Sequence, residues 1–120
     1  MSISIEIPIP DSALNPNSRA HWSKSVKPKR IQRGSTTLLI LEQIGPKWIP
    51  WAEAKCDIEV TYPTKRTWDR DNLQSALKSA FDGAQDSGLF VNDKYLSFGP
   101  QKIAEPDKDN PHVKLTFTEV

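Results

Sequence analysis

Asp69-Arg70-Asp71 stands between a segment of alternating apolar residues and a longer amphipathic one. In extended backbone, residues two apart point the same way, so both carboxylates can converge on one point. At about 4 Å two such charges repel by about 4 kcal/mol at an effective dielectric near 20, and a hard divalent cation would reverse that repulsion. A structural use competes with this. Asp71 followed three residues later by Gln74 is a capping-box pattern, and Asp69 could serve the same helix start. A calcium loop does not fit: counted from Asp69, Gln74 falls where a glycine is needed and Ala80 where a bidentate glutamate belongs.

Asp71, Ser75, Lys78 and Asp82 follow at offsets of 0, 4, 7 and 11, which on a continuous helix is one stripe that aims a cation towards the acids. The plainer reading makes Lys78 and Asp82 an ordinary i, i+4 pair, worth a few tenths of a kcal/mol on an exposed face. Asn92-Asp93 offers a further acid at a turn. A helix of about 16 residues carries the chain about 24 Å, so the chain must fold back for Asp93 to approach Asp71. Asn92-Asp93 reads equally as a surface turn.

The elements that must position these groups follow from periodicity. Ile3, Ile5, Ile7 and Ile9 alternate with polar residues and Pro8, which predicts a strand at about 2–8. Pro10 to Ser25 reads as a long loop. Ser25 can cap a helix with Pro28 in its first turn, carrying Ile31, Leu38, Leu41 and Ile44 before Gly45-Pro46 stops it. Cys56, Ile58, Val60 and Tyr62 predict a second strand ending at Pro63. Leu73, Ala76, Leu77, Ala80, Phe81 and Ala84 form one apolar stripe, predicting a helix over 71–85 that ends near Ser87-Gly88. Two strands complete the pattern, one at about 95–104 bent at Gly99-Pro100 and one at about 112–118. This order predicts an α+β fold of two layers, a mixed β-sheet with two main helices packed on one face.

The 120 residues make a single domain, 1–120, large enough to bury a core without disulfides. Lone Cys56 and two histidines provide neither a bridge nor a zinc set, which points to a reducing compartment, the cytoplasm. The longest strictly apolar run, Leu38 to Leu41, is far short of the roughly 20 residues that span a membrane. The N-terminus has no secretory pattern and is read as part of the domain. The net charge of +1 divides into +4 over residues 1–66 (ten Lys/Arg, six Asp/Glu) and −3 over 67–120 (six and nine). Residues 12–41 hold no acid but include Arg19, Lys24, Lys27, Lys29, Arg30 and Arg33. That stretch can neutralise phosphates or simply form a solvated basic face.

Three strings together resemble the signature of RusA-type Holliday-junction resolvases: Asp69-Arg70-Asp71-Asn72-Leu73-Gln74, Lys78-Ser79-Ala80-Phe81-Asp82-Gly83, and Gly88-Leu89-Phe90-Val91-Asn92-Asp93. The loop Leu14 to Trp22 is similar to the Asn-, Arg- and Trp-containing loop of phage-type members. With matching length and strand order, the resemblance covers nearly the whole chain. Two positions depart from the best-known pattern: Ser75 stands where the lysine is usual, and Asn92-Asp93 replaces a pair of acids.

The resemblance implies a small homodimeric endonuclease that cuts branched DNA symmetrically with Mg²⁺, or Mn²⁺, in recombination and repair. It assigns the metal ligands to Asp69, Asp71 and Asp93 and the catalytic lysine to Lys78. On this reading Arg19, Lys24, Lys27, Lys29 and Arg30 grip backbone phosphates, Lys65, Arg66 and Arg70 lie nearer the acids, and His21 and Trp22 stack on junction bases. Two alternatives stand beside it: a catalytically silent branched-DNA-binding protein of the same fold, and an interaction domain without a nucleic-acid role whose Asp pair only caps a helix.

Overall fold

The computed structural model describes residues 1–16, 18–19, 21–65 and 70–120, with Arg70 and Asp71 described by backbone alone. Five strands, β1 (Ser2–Ile7), β2 (Ala54–Thr61), β3 (Leu96–Phe98), β4 (Lys102–Ile103) and β5 (His112–Glu119), form one mixed sheet in the order β1-β5-β2-β3, with β4 also paired to β2. The helices are α1 (Ser23–Leu41), α2 (Arg70–Ala76) and α3 (Lys78–Asp86). The α+β architecture with a mixed sheet is therefore as the periodicity predicts.

Alternation dictates the sheet's two faces. β5 runs antiparallel to both β1 and β2, so its register assembles the rows Ile3–Phe117–Cys56, Ile5–Leu115–Ile58 and Ile7–Val113–Val60. All nine side chains are buried on the helix-bearing face. A shift of one residue in any strand would expose its whole apolar set, which pins the register. The opposite face carries the polar row Glu6–Lys114–Glu59. The segment predicted at 95–104 divides at Gly99 into β3 and β4, both parallel to β2. A Cβ at Gly99 would meet Asp57 Oδ1, so glycine there leaves room for the Asp57 carboxylate in its present rotamer.

The first helix begins at Ser23 rather than at Ser25. Nor is its buried face the one suggested by Ile31, Leu38 and Leu41, which remain exposed. Thr36, Ile40 and, just beyond the helix, Ile44 are buried instead. The reason is close packing against α3. At Gly83 a Cβ would lie only 3.1 Å from Thr36 Cβ and would run into the carbonyl oxygen of Arg33. Thr37 Oγ1 donates to the Gly83 carbonyl at 2.9 Å, and Thr36 Oγ1 to its own helix at Gln32 O, 2.8 Å. Small residues let the two backbones approach, and the Thr36 hydroxyl is satisfied within its own helix, so a polar side chain is buried at little cost.

The second predicted helix is two segments. Leu77, fully buried, leaves helical geometry at φ −97°, ψ 5°, and separates α2 from α3. Gly88 then ends the helical region with φ +83°, the left-handed conformation that glycine adopts without strain.

Candidate active site

Lys78 is the first residue of α3, so its side chain rises from the break between the two helical segments. Its Nζ donates to Asp82 Oδ1 at 2.6 Å, one turn along, and to Asp93 Oδ2 at 3.1 Å, fifteen residues away. These two carboxylates, Asp82 first and then Asp93, hold the Lys78 pKa above the ordinary lysine value against a smaller opposing effect of burial. The ammonium is therefore charged throughout the neutral range. Its side chain remains 63% exposed, so an incoming anion can reach it.

Asp93 returns to this point because the chain past α3 must turn back before β3 can pair in parallel with β2. Gln85 Oε1, on α3, accepts the Asp93 backbone N–H at 2.8 Å. Asn92 Oδ1 accepts from Lys94 N at 3.0 Å and caps the 3-10 turn Asp93–Tyr95. Asn92 thus has a structural task as a cap, which a side-chain oxygen two residues before the donating N–H performs well. An open cleft of about 270 Å³ lies in front, lined by Gln74, Ser75, Lys78, Phe81, Asp93, Leu96 and Phe98. Ser75 and Lys78 share its wall, so a lysine at 78 serves the same space that position 75 faces.

Of the remaining sequence-derived site residues, Asp69 and Arg66 lie outside the described residues, and of Arg70 and Asp71 only the backbone is placed. Asp71 is the second helical residue of α2 rather than the residue before it, which differs from the capping-box register. The break at Leu77 means that Asp71, Ser75, Lys78 and Asp82 do not form the stripe of one continuous helix. Among the described residues no group of three His, Cys, Asp or Glu side chains is placed to hold a metal ion.

Arg19, His21, Trp22, Lys24, Lys27, Lys29 and Arg30 are all exposed, on the segment leading into α1 and on its first two turns, and Lys65 is exposed beyond β2. His21 Nδ1 accepts the Ser23 backbone N–H at 3.2 Å at the start of the helix. The Trp22 ring is 72% exposed, with its centroid 5.4 Å from that of His21. Arg33 is set apart from the basic group: its guanidinium grips Asp86 through two hydrogen bonds of 2.5 and 2.9 Å. Sequence reasoning missed Gln85 and Gln32 entirely. A glutamine carries no periodic signal, and each acts across the fold rather than along its own element.

No known family model matches the chain. An uncharacterized protein of Xylella fastidiosa is similar, 26% identical over 117 residues, spanning 96% of this chain and 75% of the relative. No helix among the described residues is long and apolar enough to cross a membrane.

Proposed function

We propose that the protein is a metal-dependent, structure-selective DNA endonuclease that resolves four-way junctions by paired phosphodiester hydrolysis. The observation that carries this reading is the contact of Lys78 with Asp93, which joins the second and third signature strings at one cleft. Asp69, Asp71 and Asp93 would hold Mg²⁺ or Mn²⁺; their donor set is all carboxylate oxygen, the chemistry these hard ions prefer. Bound there, the ion supplies Lewis-acid polarisation of the phosphate and an activated water.

The chain's own residues do the rest. Lys78, charged at neutral pH, offsets negative charge that builds on the phosphate in the transition state. When DNA enters, that ammonium exchanges part of its contact with Asp82 or Asp93 for a phosphate oxygen. The exposed basic residues from Arg19 to Arg30 bind backbone phosphates on either side of the cut and fix register without reading sequence. Paired cuts on a two-fold symmetric junction require two such sites, which a C2 homodimer provides. The reducing compartment implied by lone Cys56 is the cytoplasm, where such a substrate occurs.

A synthetic four-way junction, incubated with and without Mg²⁺ beside a linear duplex control, tests this directly. Symmetric nicks that need Mg²⁺ and spare the duplex are expected. Tight, salt-sensitive junction binding without nicks would identify a silent binder, and no binding at all would leave an interaction domain.

A further inference from the structure

An uninterrupted helix through residues 70–86 would pair the Ala80 N–H with the Ala76 carbonyl, four residues back. That bond is replaced. Gln32 Nε2, from α1, donates to Ala76 O at 3.1 Å, and Gln32 Oε1 accepts from Ala80 N at 3.0 Å. A single carboxamide therefore stands between the two groups and satisfies both, across 44 and 48 residues of sequence. The chain accommodates it by tightening: Leu77 N bonds Gln74 O at 3.2 Å and Ala80 N also bonds Leu77 O at 2.9 Å, both three residues back. Insertion of a side chain into the ladder is an established cause of a sharp helix kink, and a three-residue turn advances about 120° per residue instead of 100°.

The break falls immediately before Lys78. We propose that Gln32 is a positioning residue for the active site: its carboxamide holds α2 and α3 apart and so sets the direction in which α3 presents Lys78 to Asp93 and the cleft. This rests on the endonuclease reading for its functional consequence, but not for its structural one. The alternative use, that Gln32 merely satisfies its own part-buried polar atoms, does not account for the match. Both amide atoms meet the pair of backbone groups that the helix would otherwise join. Gln32 also sits two and three residues from Arg30 and Lys29, so the same contact ties the phosphate-binding half of α1 to the lysine it serves.

The test is Gln32→Met, which keeps side-chain length and removes both the donor and the acceptor, read by amide hydrogen exchange and by junction cleavage in parallel. Expected are at least tenfold faster exchange at Ala80 with β5 amides unchanged, and kcat lowered at least tenfold with KM within twofold. A role in general stability would instead speed exchange in β5 together with Ala80, and that result overturns the proposal. So does unchanged exchange at Ala80, or faster exchange there with unaltered kcat. Gln32→Glu keeps the acceptor for Ala80 N and loses the donor to Ala76 O, which covers the case in which the methionine variant fails to fold. It should lower kcat while Ala80 stays protected, and wild-type cleavage by this variant also overturns the proposal. If the wild-type protein cuts no junction, the endonuclease reading fails by itself, and exchange at Ala80 alone decides whether Gln32 holds the break.

Discussion

Lys78 carries the sharpest residue-scale expectation. It contacts two carboxylates but remains well exposed, which suits a group that must hand part of its hydrogen bonding to a substrate phosphate. Lys78→Ala should lower the cleavage rate by two or more orders of magnitude, about 2.7–4 kcal/mol, as when one preorganised electrostatic donor is lost. Junction affinity, set by many phosphate contacts, should barely move. Lys78→Arg should rescue poorly, because a planar fork cannot replace a compact ammonium between Asp82 and Asp93. Single-turnover cleavage beside gel-shift binding separates the two effects. For Asp71→Asn, which removes an anionic ligand and keeps the side chain's size, cleavage should vanish and binding survive; Mg²⁺-dependent cutting by this variant would make the residue structural.

At the scale of elements, the contact between α1 and α3 decides whether the cleft keeps its shape. Gly83→Ala places a methyl group against the Arg33 carbonyl and 3.1 Å from Thr36 Cβ, where backbone cannot yield as a flexible side chain can. A loss of about 1–3 kcal/mol, the range for overpacking, should appear as a lower urea midpoint. The Arg33–Asp86 pair joins the same two helices and makes their contact sensitive to acid. Hydrogen bonds and charge from Arg33 lower the Asp86 pKa in the folded protein, so the pair's contribution is fully present above the ordinary aspartate value of about 4. It is lost as pH falls through the lowered folded value. Asp86→Asn should accordingly be less stable than wild type at pH 6, and the gap should close in strong acid when melting curves are compared.

For the whole molecule the expectations are assembly and metal linkage. Sedimentation at micromolar concentration should show a dimer, and a monomer that still makes paired cuts would refute the symmetric mechanism. Mg²⁺ or Mn²⁺ should raise the melting temperature by mass action if Asp69, Asp71 and Asp93 bind it, whereas a helix start that is only capped gives no shift.

The sheet was legible in the residues because strand alternation is a local signal. Ile3, Ile5 and Ile7, Cys56, Ile58 and Val60, and Val113, Leu115 and Phe117 mark their buried face before any partner is known, and all nine are buried. The pairing of Lys78 with Asp82 was equally visible, being one helical turn. Three things were not. The face that α1 buries depends on how closely Gly83 lets the α3 backbone approach, so Thr36 is interior while Leu38 is exposed. The break at Leu77 depends on Gln32, whose carboxamide reaches it only after α1 has packed. The approach of Asp93 to Lys78 depends on the chain's turning back for the parallel pairing of β3 with β2. Periodicity reports a residue's own element, whereas these contacts join residues between 15 and 48 positions apart, and only the packed fold brings such residues together.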